Sequence, residues 1–210
     1  MRFCAPWVLL PTLFAAQDSG PARLIQGPVS IAMPRLHGQC LATLDVIVGD
    51  DGTVEHVRPL YGSIPLTDEL AEAVEDWEFR PALDQGEPYA SHVLVAGLYR
   101  PLTLYDLGPC GPPDQVERAP PSLPVPVVTT APVYSARARG GGVVTVEVEI
   151  GQEGEVRSTR AVGGRTAFDA AAERAARAWR FRLGRQPAPI WAYLVFGFQE
   201  PVLAPRSESP

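Results

Sequence analysis

The residue types best suited to chemistry in this chain are its cysteines and histidines, and both are few. Cysteine occurs at positions 4, 40 and 110, and histidine at positions 37, 56 and 92. A thiol enzyme needs a cysteine activated by a base, but no known motif of that kind surrounds these residues. The sequence also lacks a nucleophile elbow, a phosphate-binding loop and an HExxH pair. We therefore expect a protein that is not an enzyme and binds no cofactor.

The acidic pair Asp50-Asp51 raises the alternative of a bound calcium ion. It lies in a Gly-Asp-Asp-Gly turn, and a similar turn, Gly151-Gln152-Glu153-Gly154, occurs later in the chain. The later turn keeps both glycines but replaces the first acid with glutamine. Because the turn is retained while a ligand is lost, the pattern favours a plain turn, and we predict no metal site.

The amino terminus has the pattern of a secretory signal. Met1-Arg2 precedes an apolar run, Phe3 to Ala16, that ends in small residues before a polar segment. The run is shorter than the roughly 20 residues that a membrane-spanning helix needs. We expect a periplasmic or secreted protein whose mature chain has no transmembrane span. A retained leader acting as an anchor is the alternative, and a mature amino terminus near Gln17 would exclude it.

Export would leave two cysteines, Cys40 and Cys110, in an oxidising environment. Such pairs form disulfide bonds, and this bond would close a loop of about 70 residues and contribute on the order of 4 kcal/mol. Two unrelated buried thiols are the alternative interpretation.

An internal repeat is the strongest pattern in the sequence. Residues 41–58 and 143–160 share alternating apolar residues followed by a glycine turn, at a shift of 102 positions. The shift also aligns Trp77-Glu78-Phe79-Arg80 with Trp179-Arg180-Phe181-Arg182, and a final apolar segment repeats at a shift of 100. A period this long indicates a duplicated domain rather than a solenoid unit.

Each repeat has the order strand, strand, helix, strand. The alternation predicts two half-buried strands joined by the turn. Apolar residues from Leu66 to Trp77, and again from Phe168 to Trp179, follow the 3.6-residue period of a helix. We predict an α+β fold of two small domains, each a three-stranded antiparallel sheet packed on one helix. The expected boundaries are a signal peptide at 1–16, a linker at 17–27, a first repeat at 28–104, a Pro-rich linker at 105–130, a second repeat at 131–203 and a disordered tail at 204–210.

Both repeats resemble the C-terminal domain of TonB, an energy-transducing protein of the Gram-negative periplasm. The second repeat carries the resemblance in Pro132-Val133-Tyr134, Gly142-Val143-Val144-Thr145-Val146, Phe168-Asp169-Ala170-Ala171-Ala172 and Trp179-Arg180-Phe181, and the first in Met33-Pro34, Asp51-Gly52-Thr53-Val54 and Trp77-Glu78-Phe79-Arg80-Pro81-Ala82. The chain departs from TonB in its short leader and in the position of its Pro-rich segment, between two domains.

The resemblance implies a protein-binding module of the cell envelope. In this family an exposed strand accepts an extended peptide of an outer-membrane transporter, a mode called strand addition. The matching strands here are the last of each repeat, and the residues expected to line them are His92, Leu94, Ala96, Leu98, Ala192, Leu194, Phe196 and Phe198.

Charge differs sharply between the repeats and suggests an alternative function. Residues 28–100 carry a net charge of −8, and residues 130–199 carry +4. The opposite charges could favour docking of one repeat on the other, which would hide the strand edges and make the chain a structural scaffold. Two solvated helix faces that never meet are the equally favoured alternative. A component of TonB-dependent transport, anchored by its leader, is the other alternative. Nucleic acid is not an expected partner, because the aromatic residues follow the core pattern.

Overall fold

The computed structural model describes residues 19–27, 39–62, 64, 66–99, 109–110, 123–134, 139–163, 166–185 and 189–199. The predicted signal peptide, the predicted tail and His37 lie outside these residues. Within them, no helix has the length and apolar character required to cross a bilayer.

The described chain has two halves that share an order of five strands and one helix, and the first half has three further short strands. The first half contains β1 (Arg23–Gln26), β2 (Gln39–Val48), β3 (Val54–Gly62), α1 (Leu66–Glu75), β4 (Glu78–Arg80), β5 (Ala82–Asp84), β6 (Glu87–Tyr89) and β7 (Ser91–Tyr99), followed by the short β8 (Pro109–Cys110). The second half contains β9 (Val125–Val128), β10 (Gly142–Ile150), β11 (Val156–Gly163), α2 (Thr166–Arg177), β12 (Arg180–Arg182) and β13 (Ile190–Phe198).

One sheet joins the two halves, in the order β11-β10-β13-β7-β2-β3. Neighbours along this order are antiparallel except at the centre, where β13 and β7 run parallel. The strand β8 pairs in parallel with the start of β2. The prediction of two separate three-stranded sheets is therefore wrong in arrangement, although each half supplies three strands and one helix as expected.

The two helices pack on opposite faces of this sheet. Leu66, Leu70 and Val74 of α1 share a core with Val93 and Val95 of β7. Since successive side chains of a strand point to opposite faces, the alternate residues of β7 lie in the other core. That second core also contains the buried side chains of α2, among them Phe168, Ala172 and Ala176.

The central position of β7 and β13 explains their composition. Each strand has its own helix on one face and the core of the other half on the opposite face. From Val93 to Tyr99, and from Ala192 to Phe198, every residue is buried. Strands buried on both faces read as continuous apolar runs rather than alternating ones, which is the pattern found here.

A two-stranded ribbon follows each helix, and the two ribbons have the same register. Arg23 lies opposite Arg80 in the β1·β4 ribbon, and Val125 lies opposite Arg182 in the β9·β12 ribbon. All four residues obey the shift of 102. The predicted linkers at 17–27 and 105–130 are therefore too long, because β1 and β9 lie inside them and belong to the folded halves.

Candidate functional site

The strands predicted to accept a peptide do not present a free edge. Strand β7 pairs with β2 on one side and β13 on the other, and β13 pairs with β10 and β7. The prediction is wrong because the two last strands occupy each other. Seven of the eight predicted contact residues are buried core residues: Leu94, Ala96, Leu98, Ala192, Leu194, Phe196 and Phe198.

The eighth predicted residue, His92, belongs to a polar cluster. Its Nδ1 lies 2.7 Å from Oδ1 of Asp45 in β2. Arg58 of β3 donates to the other oxygen of that carboxylate at 2.6 Å. Asp45 is buried, whereas the side chains of Arg58 and His92 are partly exposed. The cluster satisfies a buried charge, which would otherwise be costly, and it holds three adjacent strands together.

The second half has the equivalent cluster around Glu147 of β10. Arg160 of β11 donates to Glu147 at 3.1 Å, as Arg58 does to Asp45. Arg23 of β1 makes two bonds to the same carboxylate, at 2.7 and 2.9 Å. The hydroxyl of Tyr193 donates to Glu147 at 3.1 Å and accepts the amide of Leu24 at 2.7 Å. Strand β1 of the first half is thereby hydrogen-bonded to β10 and β13 of the second half.

These clusters were missed from sequence, although a signal for them was present. Asp45 and Glu147 occupy the same position in the repeat, 102 residues apart, and so do Arg58 and Arg160. An acid that recurs within an apolar strand indicates a buried pair. The reach of Arg23 from the first half to the second has no comparable signal, since it depends on how the halves join.

The cysteines predicted to form a disulfide bond are neighbours in the sheet. Cys40 of β2 and Cys110 of β8 are register partners in a parallel pair, and Cys40 is buried. The geometry of the backbone agrees with the predicted bond, which stays a prediction. Titration of free thiols in the unfolded, unreduced chain would test it.

The outer edges of the sheet are β3 and β11, and each is protected differently. Strand β3 has Pro59, which has no amide hydrogen to offer a further strand. The equivalent residue of β11 is Ala161, whose amide donates to Oε1 of Glu173 in α2 at 2.9 Å. Within the described residues, β10 is the one strand that pairs with β11.

The charged helices do not face each other. The acids of α1, including Asp68, Glu72 and Glu75, and the arginines of α2, including Arg174 and Arg177, lie on opposite faces of one sheet. The expectation that these charges dock the repeats together is therefore wrong. The halves join instead through an apolar seam between β7 and β13, supplemented by the bonds of Arg23.

A groove also opens where the β5–β6 hairpin meets the start of β13. Tyr89, His92 and Trp191 contribute to its lining, together with the acids Asp84 and Glu87. Arg23 covers the ring of Trp191 at 3.9 Å. The described residues hold no group of three or more metal-binding side chains.

Comparison with known proteins connects the second half to one family. Residues 130–199 match the family described as Gram-negative bacterial TonB protein C-terminal. No curated protein matches the chain. The matched segment spans β10, β11, α2, β12 and β13, so this part of the chain is similar to a TonB C-terminal domain.

Proposed function

We propose that this chain is a non-enzymatic protein-interaction module of the Gram-negative cell envelope. The observation that carries the proposal is the similarity of residues 130–199 to the TonB C-terminal family. The proposal extends this type of domain to the first half, because equivalent hydrogen bonds recur there. The amide of Phe79 donates to the carbonyl of Gly52 at 2.9 Å, and that of Phe181 donates to Gly154 at 2.8 Å.

The proposed mode of recognition is strand addition of an extended segment, such as one from an outer-membrane transporter. Backbone hydrogen bonds supply affinity in this mode, and alternate side chains supply selectivity. Because β7 and β13 pair with each other, the partner must use an outer edge. The proposed location is the periplasm, reached through removal of the leader.

Isothermal titration of the full chain against extended transporter segments tests this function. We expect saturable binding that leaves the chain folded. In NMR spectra of the same complex, the backbone amide signals of an outer strand should shift, and those of β7 and β13 should not. A titration without heat, together with an unchanged amide spectrum at high peptide concentration, would refute the proposal.

A closed structural scaffold is the second candidate function. It is favoured by the parallel β7·β13 pairing, which occupies the strands that the family resemblance implies for peptides. A scaffold would ignore every extended peptide while still forming a stable envelope complex through its faces. Retention of an envelope protein on the immobilised chain, undisturbed by excess transporter segments, would favour the scaffold over the peptide-binding module.

A further inference from the structure

We propose that the peptide site of this protein is the outer edge of β11 and that its ligand is an extended acidic segment. This inference rests on the proposed function and assigns its site and the charge of its ligand. Three observations carry it: the backbone groups of β11, the closure of the equivalent edge in the first half, and the reversal of charge around the two edges.

The outer side of β11 carries backbone groups that a further strand could pair with. Residues 158–160 keep a regular antiparallel register with β10. The amide of Ala161 donates to the side chain of Glu173 in α2. Because successive residues of a strand direct their amide and carbonyl groups to opposite sides, residues two apart share a side, and the amide and carbonyl of Thr159 face outward like the amide of Ala161. Within the described residues, no strand occupies this side.

Glu173 acts as a side-chain substitute for a missing strand. Its Oε1 accepts the Ala161 amide at 2.9 Å, which is the bond that a peptide carbonyl would form. A side chain can move aside at little cost, whereas a proline closes an edge permanently. The first half has Pro59 at the position of Ala161 and Ala71 at the position of Glu173. The edge of β3 is therefore closed by a proline, whereas the edge of β11 is capped by a side chain that can move away.

The charges around the two edges are opposite at equivalent positions. Arg157, Arg174 and Arg177 are exposed around β11, and Arg157 is paired with Glu155 at 2.7 Å. Glu55, Glu72 and Glu75 occupy the same three places in the first half. Arg177 reaches the strand itself, since its Nε donates to Oγ1 of Thr159 at 3.1 Å. A strand added to β11 would lie beside these guanidinium groups, so an acidic segment is favoured and a basic one is repelled.

The test compares two peptides on the full chain. The first is a short extended peptide of alternating valine and glutamate, and the second has lysine in place of glutamate. We expect the glutamate peptide to bind, with affinity that falls as salt rises, and with amide shifts centred on Thr159 and Ala161. We expect the lysine peptide not to bind.

Variants locate the site. Ala161→Pro copies the natural Pro59 edge and should lower affinity for the glutamate peptide about tenfold or more, since an outward donor is lost. Glu173→Ala frees that donor and should raise affinity, and Glu173→Gln, which keeps the competing oxygen, should raise it less. Arg174→Gln should weaken binding, whereas Arg80→Gln removes the same charge in the first half and should not.

The outcomes separate the site from the function. Equal binding by Ala161→Pro, or by the lysine peptide, would overturn the inference and leave the proposed function standing if transporter segments still bind. Failure of all these ligands, transporter segments included, would overturn both. Concentration-dependent dimerisation of the chain alone, abolished by Ala161→Pro, would assign the edge to a second copy and overturn the peptide ligand.

Discussion

At the scale of single residues, Glu147 is the buried charge whose hydrogen-bond donors come from both halves of the chain. It is buried, and three donors from three different strands, Arg23, Arg160 and Tyr193, converge on it. A buried carboxylate without its partners is far less stable than one with them. The arginines are partly exposed and can be hydrated when the cluster breaks. The lost free energy of folding therefore comes mainly from the buried charge of Glu147.

The first prediction follows from this asymmetry. Replacing both Arg23 and Arg160 with alanine should lower the free energy of unfolding by about 3–5 kcal/mol, because an uncompensated charge stays buried. The same two changes in a Glu147→Leu background should cost much less. Denaturant unfolding of the four proteins measures both differences. Equal costs in the two backgrounds would show that the arginines act through packing alone.

The second prediction concerns alkaline pH. Burial raises the pKa of Tyr193 well above its usual value of 10.0. Folding therefore favours the neutral form of Tyr193. This contribution to the free energy of unfolding is fully present below pH 10, and it is lost as the pH rises above 10 because the phenol then ionises in the unfolded chain. Burial also raises the pKa of Tyr99, so both rings add to the alkaline loss.

Tyr193→Phe should reduce the slope of unfolding free energy against pH above pH 10 by up to about 1.4 kcal/mol per pH unit. Denaturant midpoints between pH 9 and 11 provide the measurement, and Tyr89→Phe, which changes an exposed ring, is the matched control. A slope that is the same in Tyr193→Phe and the wild type would contradict the prediction.

At the scale of elements, the ribbons β1·β4 and β9·β12 are held by the turn glycines. Gly52 has a φ of 87°, and a side chain there would collide with the carbonyl oxygen of Phe79 in β4. Gly154 has the same relation to Phe181. Both glycines are needed for close approach of the ribbon as well as for backbone conformation. The sequence repeat identified the turns, but their contact with the ribbon depends on the fold.

Gly86 offers a matched control for a third prediction. Its φ of 86° is nearly that of Gly52, but no atom lies within 4 Å of where its Cβ would be. Gly86→Ala should cost about 1–2 kcal/mol from backbone strain alone. Gly52→Ala should cost clearly more, because it also displaces β4. Thermal or denaturant unfolding compares the two, and equal losses would show that the contact with Phe79 is relieved without cost.

The elements divide into those the sequence predicts and those it does not. The helices and the strands β2 and β10 have strong periodicity, and the structure contains them near the expected residues. The sequence predicts linkers where β1 and β9 lie, because a strand of four residues is too short for a periodic signal. Strand β9 also contains Pro126. Their pairing is visible only once β4 and β12 lie beside them.

At the scale of the whole molecule, the sequence predicted two units, whereas the structure has one sheet with a helix on each face. The signal for this was the uninterrupted apolar run of the last strands, which indicates burial on both faces. The family resemblance, in contrast, implies that those strands are open edges. An open edge with two apolar faces would be an aggregation hazard, so the composition of β7 and β13 already favoured a buried position.

The final prediction concerns how the halves hold together. If the opposite charges of the repeats held the halves together, their association would be sensitive to salt. The seam is instead made of buried apolar residues such as Val95, Leu98 and Leu194, and apolar contact is not weakened by ionic screening. The halves should therefore stay together at high salt without a covalent connection.

A protease site inserted between residues 111 and 122 allows the test, because Cys40 and Cys110 then remain on one fragment. After cleavage, the two fragments should elute together on gel filtration at low salt and at 1 M salt, and should separate only in denaturant. Elution as separate folded fragments at high salt would mean that charge, not the β7·β13 seam, joins the halves. The uncut chain, run under the same conditions, controls for effects of salt on elution.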